Sequence, residues 1–195
     1  MESESQKEDF RISHVKDHLH ASRLNLVRTD VTHSQELFSA INSPGVLSTL
    51  TMEVHTLEEF RKYLVFLKTR WEVRQDFTFT IKGKHQTNPI MGQISVYNIN
   101  YVHFRGELGI WLGREFWHQG YALEAMQCLV KHVFENLHLN RLEAHVFTKN
   151  KASIRLFEKC GFVCEGKNQE YVKKQMDYYD VFSYALLRRD WREES

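Results

Sequence analysis

The chain has 195 residues, 42% of them hydrophobic and 13% aromatic, with a formal net charge of +1. That length suits one domain with a real core, and so balanced a charge offers no field to draw nucleic acid or an anionic membrane surface. The longest apolar runs fall far short of a bilayer span, and the opening residues do not read as a signal peptide.

Residues 1–21 are polar and charged, with little apolar periodicity, and read as a mobile tail ahead of a single domain over 22–195. Leu24-Asn25-Leu26-Val27-Arg28 alternates like a short strand. Asp30 or Thr32 can cap the helix that follows, which places Leu37, Phe38 and Ile41 on one face. Ser43-Pro44-Gly45 breaks that pattern. Thr56-Leu57-Glu58-Glu59 has the form of a capping box, and its helix carries Leu57, Phe60, Leu64, Leu67 and Trp71 at helical spacing. These two helices either wall a substrate pocket or only pack on the strands that follow.

Phe77–Ile81, Ile90–Tyr97 and Arg105–Leu112 read as three strands joined by short polar turns, an antiparallel meander. Gly92, inside the second, predicts a bulge or a close backbone approach. Beyond Leu112 the period changes. Ala122, Met126, Leu129, Val130, Val133, Phe134 and Leu137 form the clearest amphipathic helix, and Leu142, Ala144 and Val146 alternate as a strand. A strand-helix-strand unit of this length predicts parallel pairing. Asn150 suits the N-cap of a helix over Lys151–Cys160, with Gly161 at its C-terminal glycine position. Phe162-Val163 opens another strand, and Tyr178–Leu187 reads as the last. The sum is an α+β domain with a mixed, mostly antiparallel sheet flanked by helices.

Three cysteines are present: Cys128 on the buried side of a helix, then Cys160 and Cys164 four residues apart without a second pair at zinc-finger spacing. An odd count favours a reducing, cytoplasmic setting. The eleven histidines are scattered, no HExxH occurs, and no metal is expected. The turn Trp117-His118-Gln119-Gly120-Tyr121-Ala122, between a strand and a long helix, leaves backbone N–H groups free at a helix start, where anions bind.

Several motifs carry a resemblance: Glu107-Leu108-Gly109-Ile110-Trp111-Leu112, then Trp117-x-x-Gly120-Tyr121-Ala122-x-Glu124-Ala125, then Asn150-x-x-Ser153-Ile154-Arg155-x-x-Glu158-Lys159-x-Gly161-Phe162. With Arg23-Leu24-x-Leu26, Glu165-Gly166 and Tyr179–Arg188, the chain from about residue 22 to 191 resembles the GNAT superfamily of N-acetyltransferases, most closely its RimJ/RimL branch of ribosomal-protein-alanine N-acetyltransferases. The resemblance implies the GNAT fold and acetyl transfer from acetyl-CoA to an amine. Its pyrophosphate loop would be Trp117, His118, Gln119, Gly120, Tyr121 and Ala122. Trp117 and His118 depart from the general loop pattern, and a loop working through backbone N–H groups tolerates both. Main-chain groups of Ile110, Trp111 and Leu112 would pair with the pantetheine arm like another strand, at an open edge between the parallel strands. Asn150 would bond the same arm while capping its helix.

Only a free amine attacks a thioester, so a base is needed. Glu107 is the first candidate and Glu170 the second; the plainer reading of Glu107 is an outward strand residue in an ion pair. Many superfamily members reprotonate the CoA thiolate with a tyrosine, where this chain has Phe157. The resemblance transfers that role to Ser153, which otherwise serves only as a helix-capping neighbour. Arg114, Lys149 and Lys151 either aid the phosphates or are surface charge. The acceptor implied is a protein or peptide N-terminal amine; a small amine (polyamine, amino sugar or amino-acid derivative) and a non-catalytic acyl-CoA-binding module are the alternatives. Nucleic acid and membrane are not expected as partners, and the state is monomer or homodimer.

Overall fold

A computed structural model describes residues 15–84 and 89–192. Eight strands form one sheet: β1 (His18–His20), β2 (Leu24–Arg28), β3 (Phe77–Gly83), β4 (Ile90–Asn100), β5 (Arg105–Leu112), β6 (Arg141–Phe147), β7 (Val163–Lys174) and β8 (Asp177–Leu187). Their order is β1-β2-β3-β4-β5-β6-β8-β7. Every neighbouring pair is antiparallel except β5 and β6. Among the described residues four α-helices complete the fold: α1 (Ser34–Ile41), α2 (Leu57–Glu72), α3 (Tyr121–Glu135) and α4 (Lys151–Lys159). The expected α+β fold with a mostly antiparallel mixed sheet is therefore observed, including the 77–112 meander and the parallel crossover through α3.

The helix ends follow from their sequences. Thr56 accepts a hydrogen bond from the Glu59 N–H at 3.2 Å while Glu59 accepts one from the Thr56 N–H, the reciprocal box that fixes the start of α2. Asp30 caps a short 3-10 turn, Val31–His33, that runs into α1. Gly161 has φ +84°, the left-handed residue that ends α4.

Two apolar clusters hold the sheet. The larger joins α3 (Ala125, Met126, Leu129, Val133) to Phe77, Phe79, Ile94, Leu108 and Leu142. The smaller joins α1 and α2 through Leu37, Ile41, Phe60 and Leu64, with Val46, Val54 and Ile90. Both clusters exclude apolar area worth roughly 25 cal/mol per Å². Side chains alternate across β5 accordingly. Leu108, Ile110 and Leu112 pack into the larger cluster, and Trp111 packs against the smaller. Glu107, two positions from Gly109 and four from Trp111, thus shares the face that α1 and α2 cover.

The sequence reading needs amendment in two places. Residues 18–20, assigned to a tail, pair in register with β2, and Leu19 is buried against the main core, because one apolar side chain between two histidines suffices for an edge strand. Residues 1–14 lie outside the described residues, as does most of the turn expected at 83–88. β4 runs on to Asn100, three residues past its expected end, because a bulge between Tyr97 and Asn100 absorbs the turn-forming Asn98. Cys128 packs, half-buried, against the larger cluster, on the side of α3 expected of it.

Candidate active site

The loop after β5 is built by backbone conformation. A 3-10 turn, Arg114–Phe116, leads to Trp117, and then His118 (φ +60°) and Gly120 (φ +80°) are left-handed on either side of Gln119. Alternation of hand along a loop points its N–H groups into one concavity, which favours an anion. Gly120 is the N-cap of α3 and has no side chain to satisfy the helix's first N–H groups. A diphosphate suits this cradle, since its charge meets both the free donors and the positive end of a fifteen-residue helix.

Two side chains of the loop serve the protein itself. Trp117 donates its indole N–H to the Leu112 carbonyl at 2.8 Å, under the Arg114 guanidinium at 4.5 Å. Gln119 donates through Nε2 to the Glu115 carbonyl at 2.7 Å. Trp117 thus ties the loop back to the end of β5, and Arg114 is engaged as its stacking partner.

The β5–β6 ladder contains three pairs only, Arg105↔Arg141, Gly106↔Leu142 and Glu107↔Glu143. Both strands continue, β5 to Leu112 and β6 to Phe147, without pairing each other. This is the open edge expected at Ile110, Trp111 and Leu112. Leu112 differs from the other two, because its carbonyl already accepts from Trp117. On the far side of the opening, Asn150 Oδ1 accepts the Ser153 N–H at 3.1 Å and caps α4. Ser153 is half-buried on that first turn. Phe157 is buried against Phe162 and Tyr184, with ring centroids 5.1 and 6.2 Å away.

Glu107 lies at the apex of the opening. Its carboxylate receives Asn98 Nδ2 at 2.9 Å, His145 Nδ1 is 3.3 Å from its other oxygen, and Tyr97 stands opposite it in the β4–β5 register. Burial, with the Glu107 charge adding, pushes the Tyr97 phenol well up, so at neutral pH it keeps its proton. The His145 ring stacks on Tyr171 of β7 at 4.9 Å and 18°. Among the described residues, no lysine or arginine pairs with Glu107. The arginines of this edge, Arg105 and Arg141, go instead to Glu143. The ion-pair reading of Glu107 thus reduces to the His145 contact.

Tyr97, Asn98 and His145 were not singled out by sequence reasoning. The signal was present in the register. An antiparallel 90–97/105–112 pairing sets Tyr97 opposite Glu107, and a parallel pairing at Glu143 sets His145 two residues further along the same face. Asn98 joins them through its bulge, where φ is +51° and its N–H goes to Asp76 at 2.8 Å. Glu170 stands apart. It is exposed, has φ +50° in an irregular stretch of β7, and gives its N–H to Asp180 at 2.8 Å. Its neighbour Tyr171 is the residue that reaches His145. Among the described residues, no three His, Cys, Asp or Glu side chains gather as a metal site, and no helix is long and apolar enough to cross a membrane.

Comparison with known proteins joins these features. A family model described as "Acetyltransferase (GNAT) domain" matches residues 23–163. The uncharacterized N-acetyltransferase p20 of Bacillus licheniformis is 29% identical over 174 residues, covering 89% of this chain and 97% of that protein. The solved structure of RimL, a ribosomal L7/L12 alpha-N-protein acetyltransferase, superposes with a TM-score of 0.82 at 22% identity, over 90% of this chain and 96% of the other. Spermidine N-acetyltransferase from Vibrio cholerae, solved with CoA and spermine, superposes with a TM-score of 0.76 at 21% identity, over 86% and 97% of the two chains.

Proposed function

The chain belongs to the GNAT acetyltransferase family, and from that premise we propose that it acetylates the N-terminal amine of a protein or peptide, with acetyl-CoA as donor and Glu107 as the general base. In the reaction the amine nitrogen attacks the thioester carbonyl carbon, forming the C–N bond. The tetrahedral intermediate then expels the CoA thiolate as the C–S bond breaks. The amine gives up a proton, and the thiolate gains one.

The observation that carries the reading is the position of Glu107. It sits where the β5–β6 ladder ends, beside the opening that would hold the thioester, with Asn98 and His145 each against one of its oxygens. A carboxylate so placed accepts the amine proton, and fixed donors keep it aimed at one point. Main-chain groups of Ile110 and Trp111 would take the pantetheine arm, and the N–H groups from His118 to Ala122 the pyrophosphate. Ser153 is the hydroxyl next to the thiolate's expected path. A thiolate is already a good leaving group, so its contribution is the smaller one.

For the acceptor, the support is the solvent-open rim of the site. Tyr171, which faces His145, is 54% exposed, and the acceptor side is bounded there by a β-hairpin rather than enclosed. A chain end enters such a rim with the rest of the protein outside. Incubation with labelled acetyl-CoA, a panel of peptides with free N-termini, and a panel of polyamines and amino sugars tests the reading. Acetyl transfer to peptides supports it, and transfer confined to the small amines refutes the acceptor class while leaving the donor chemistry intact.

A further inference from the structure

Arg23 immediately precedes β2, about a hundred residues before the loop at the start of α3, and reaches that loop by four routes. Its backbone N–H donates to Glu124 Oε1 at 2.5 Å, and its Nε donates to Glu124 Oε2 at 2.7 Å. Its NH1 donates to the Gln119 carbonyl at 3.1 Å. The guanidinium also lies over the Tyr121 ring, 4.6 Å from its centroid. NH2 is left against Gly120, 3.3 Å from where a Cβ on that glycine would stand. The arginine's own backbone is held, since its carbonyl accepts the Lys84 N–H at 2.8 Å.

Glu124 gives this arrangement a purpose. It occupies the first turn of α3, where a carboxylate is at home with the helix dipole. The same carboxylate would repel an anionic ligand at that helix end. Arg23 occupies both of its oxygens and supplies the compensating charge at the loop. A planar, always-charged fork is suited to hold a carboxylate, a carbonyl and an aromatic face together.

We propose that Arg23 is a positioning residue for the nucleotide half of acetyl-CoA: it cancels Glu124, fixes the turn at Gln119 and the left-handed Gly120, and presents NH2 to the pyrophosphate. This rests on the reading that the loop binds the pyrophosphate. The test compares CoA with pantetheine, which lacks the nucleotide, as ligands of the full-length protein by calorimetry, and acetyl-CoA with acetyl-pantetheine as donors. Arg23→Ala is expected to weaken CoA by about tenfold or more, the scale of a lost charge-assisted contact, with pantetheine affinity little changed and kcat at saturating acetyl-CoA preserved. Arg23→Ala/Glu124→Gln is expected to recover part of the lost CoA affinity, because the uncancelled charge has gone while the NH2 contact and the loop tether stay lost. Equal losses for CoA and pantetheine, or a lowered Tm with CoA affinity intact, overturn the proposal. Should Arg23→Ala not fold, Arg23→Lys is the second variant; it keeps the charge but loses the fork, and unchanged CoA affinity there overturns the fixing of the loop. Wild-type protein that binds CoA no better than pantetheine overturns the loop reading itself.

Discussion

Replacing Gly92 by alanine strikes the site from behind. An added Cβ there would stand 2.1 Å from the Trp111 carbonyl oxygen, 2.8 Å from Leu112 Cα and 3.0 Å from the Trp111 carbonyl carbon. All three atoms are backbone of β5, so no rotamer change relieves the clash. Carbon contacts settle near about 3.5 Å, so β5 must retreat by about 1 Å or more. That movement strains the Gly92↔Leu112 pair and two bonds that anchor the strand's end, Gly113 N–H to the Met91 carbonyl at 2.8 Å and Trp117 Nε1 to the Leu112 carbonyl at 2.8 Å. Overpacking of this kind costs about 3 kcal/mol, which for a chain of this size lowers Tm by roughly 6–12 °C. Because Ile110–Leu112 line the opening, the KM for acetyl-CoA rises with it. Scanning calorimetry and initial rates measure both. Gly166→Ala is the control, with nothing within 4 Å of its would-be Cβ, and its Tm is expected to stay within about 2 °C of wild type. A Gly92→Ala protein as stable as that control, with an unaltered KM, would refute the reasoning.

Three further outcomes are expected. Glu107→Gln keeps the shape and some hydrogen bonds but removes the base, so turnover falls by about tenfold or more with the KM for acetyl-CoA unchanged; full turnover would remove Glu107 from the chemistry. Asn150→Ala loses the acceptor for the Ser153 N–H and about 1 kcal/mol of stability, while Asn150→Asp keeps the cap; if both variants also weaken CoA equally, the amide has a role beyond capping, and wild-type stability in Asn150→Ala would contradict the cap. Burial holds His132 below the usual histidine range, so the unfolded chain takes up the proton first; its share of stability is complete above about pH 6.5 and declines as pH falls below it. Urea melts from pH 7.5 to 5 should therefore show a shallower decline in His132→Gln, and an identical slope would contradict the assignment.

Local chemistry was readable in the sequence wherever a residue acts through its own neighbours. The Thr56–Glu59 box, the Asn150 cap and the Gly161 stop all follow from short spacing and are all present, and a glycine inside a strand pattern pointed to the close backbone approach at Gly92. What crosses the sheet was harder to read. Tyr97, Asn98 and His145 gather on Glu107 through strand register and one bulge, and Arg23 finds Glu124 across about a hundred residues. Trp117 shows the limit in another way. Its position suggested the cofactor loop, and its indole is in fact bonded to the strand before that loop. Glu170 was beyond such reading as well, since its left-handed backbone lies in an irregular stretch of β7.

The three-pair ladder between β5 and β6 has a consequence for how this protein avoids its own kind. A sheet normally hides its adhesive main-chain groups everywhere but at its two outer strands. Here the outer strand β7 is interrupted by two bulges and carries Lys167, Lys173 and Lys174, all unwelcoming to another chain. The opening past Glu107 is a third, interior border, flanked by Ile110 and Trp111 rather than by charge. A donor that lies along it closes that border as a missing strand would. Protein stripped of donor should consequently aggregate sooner on heating than protein saturated with it, through a seam in the middle of the sheet and not at its margins.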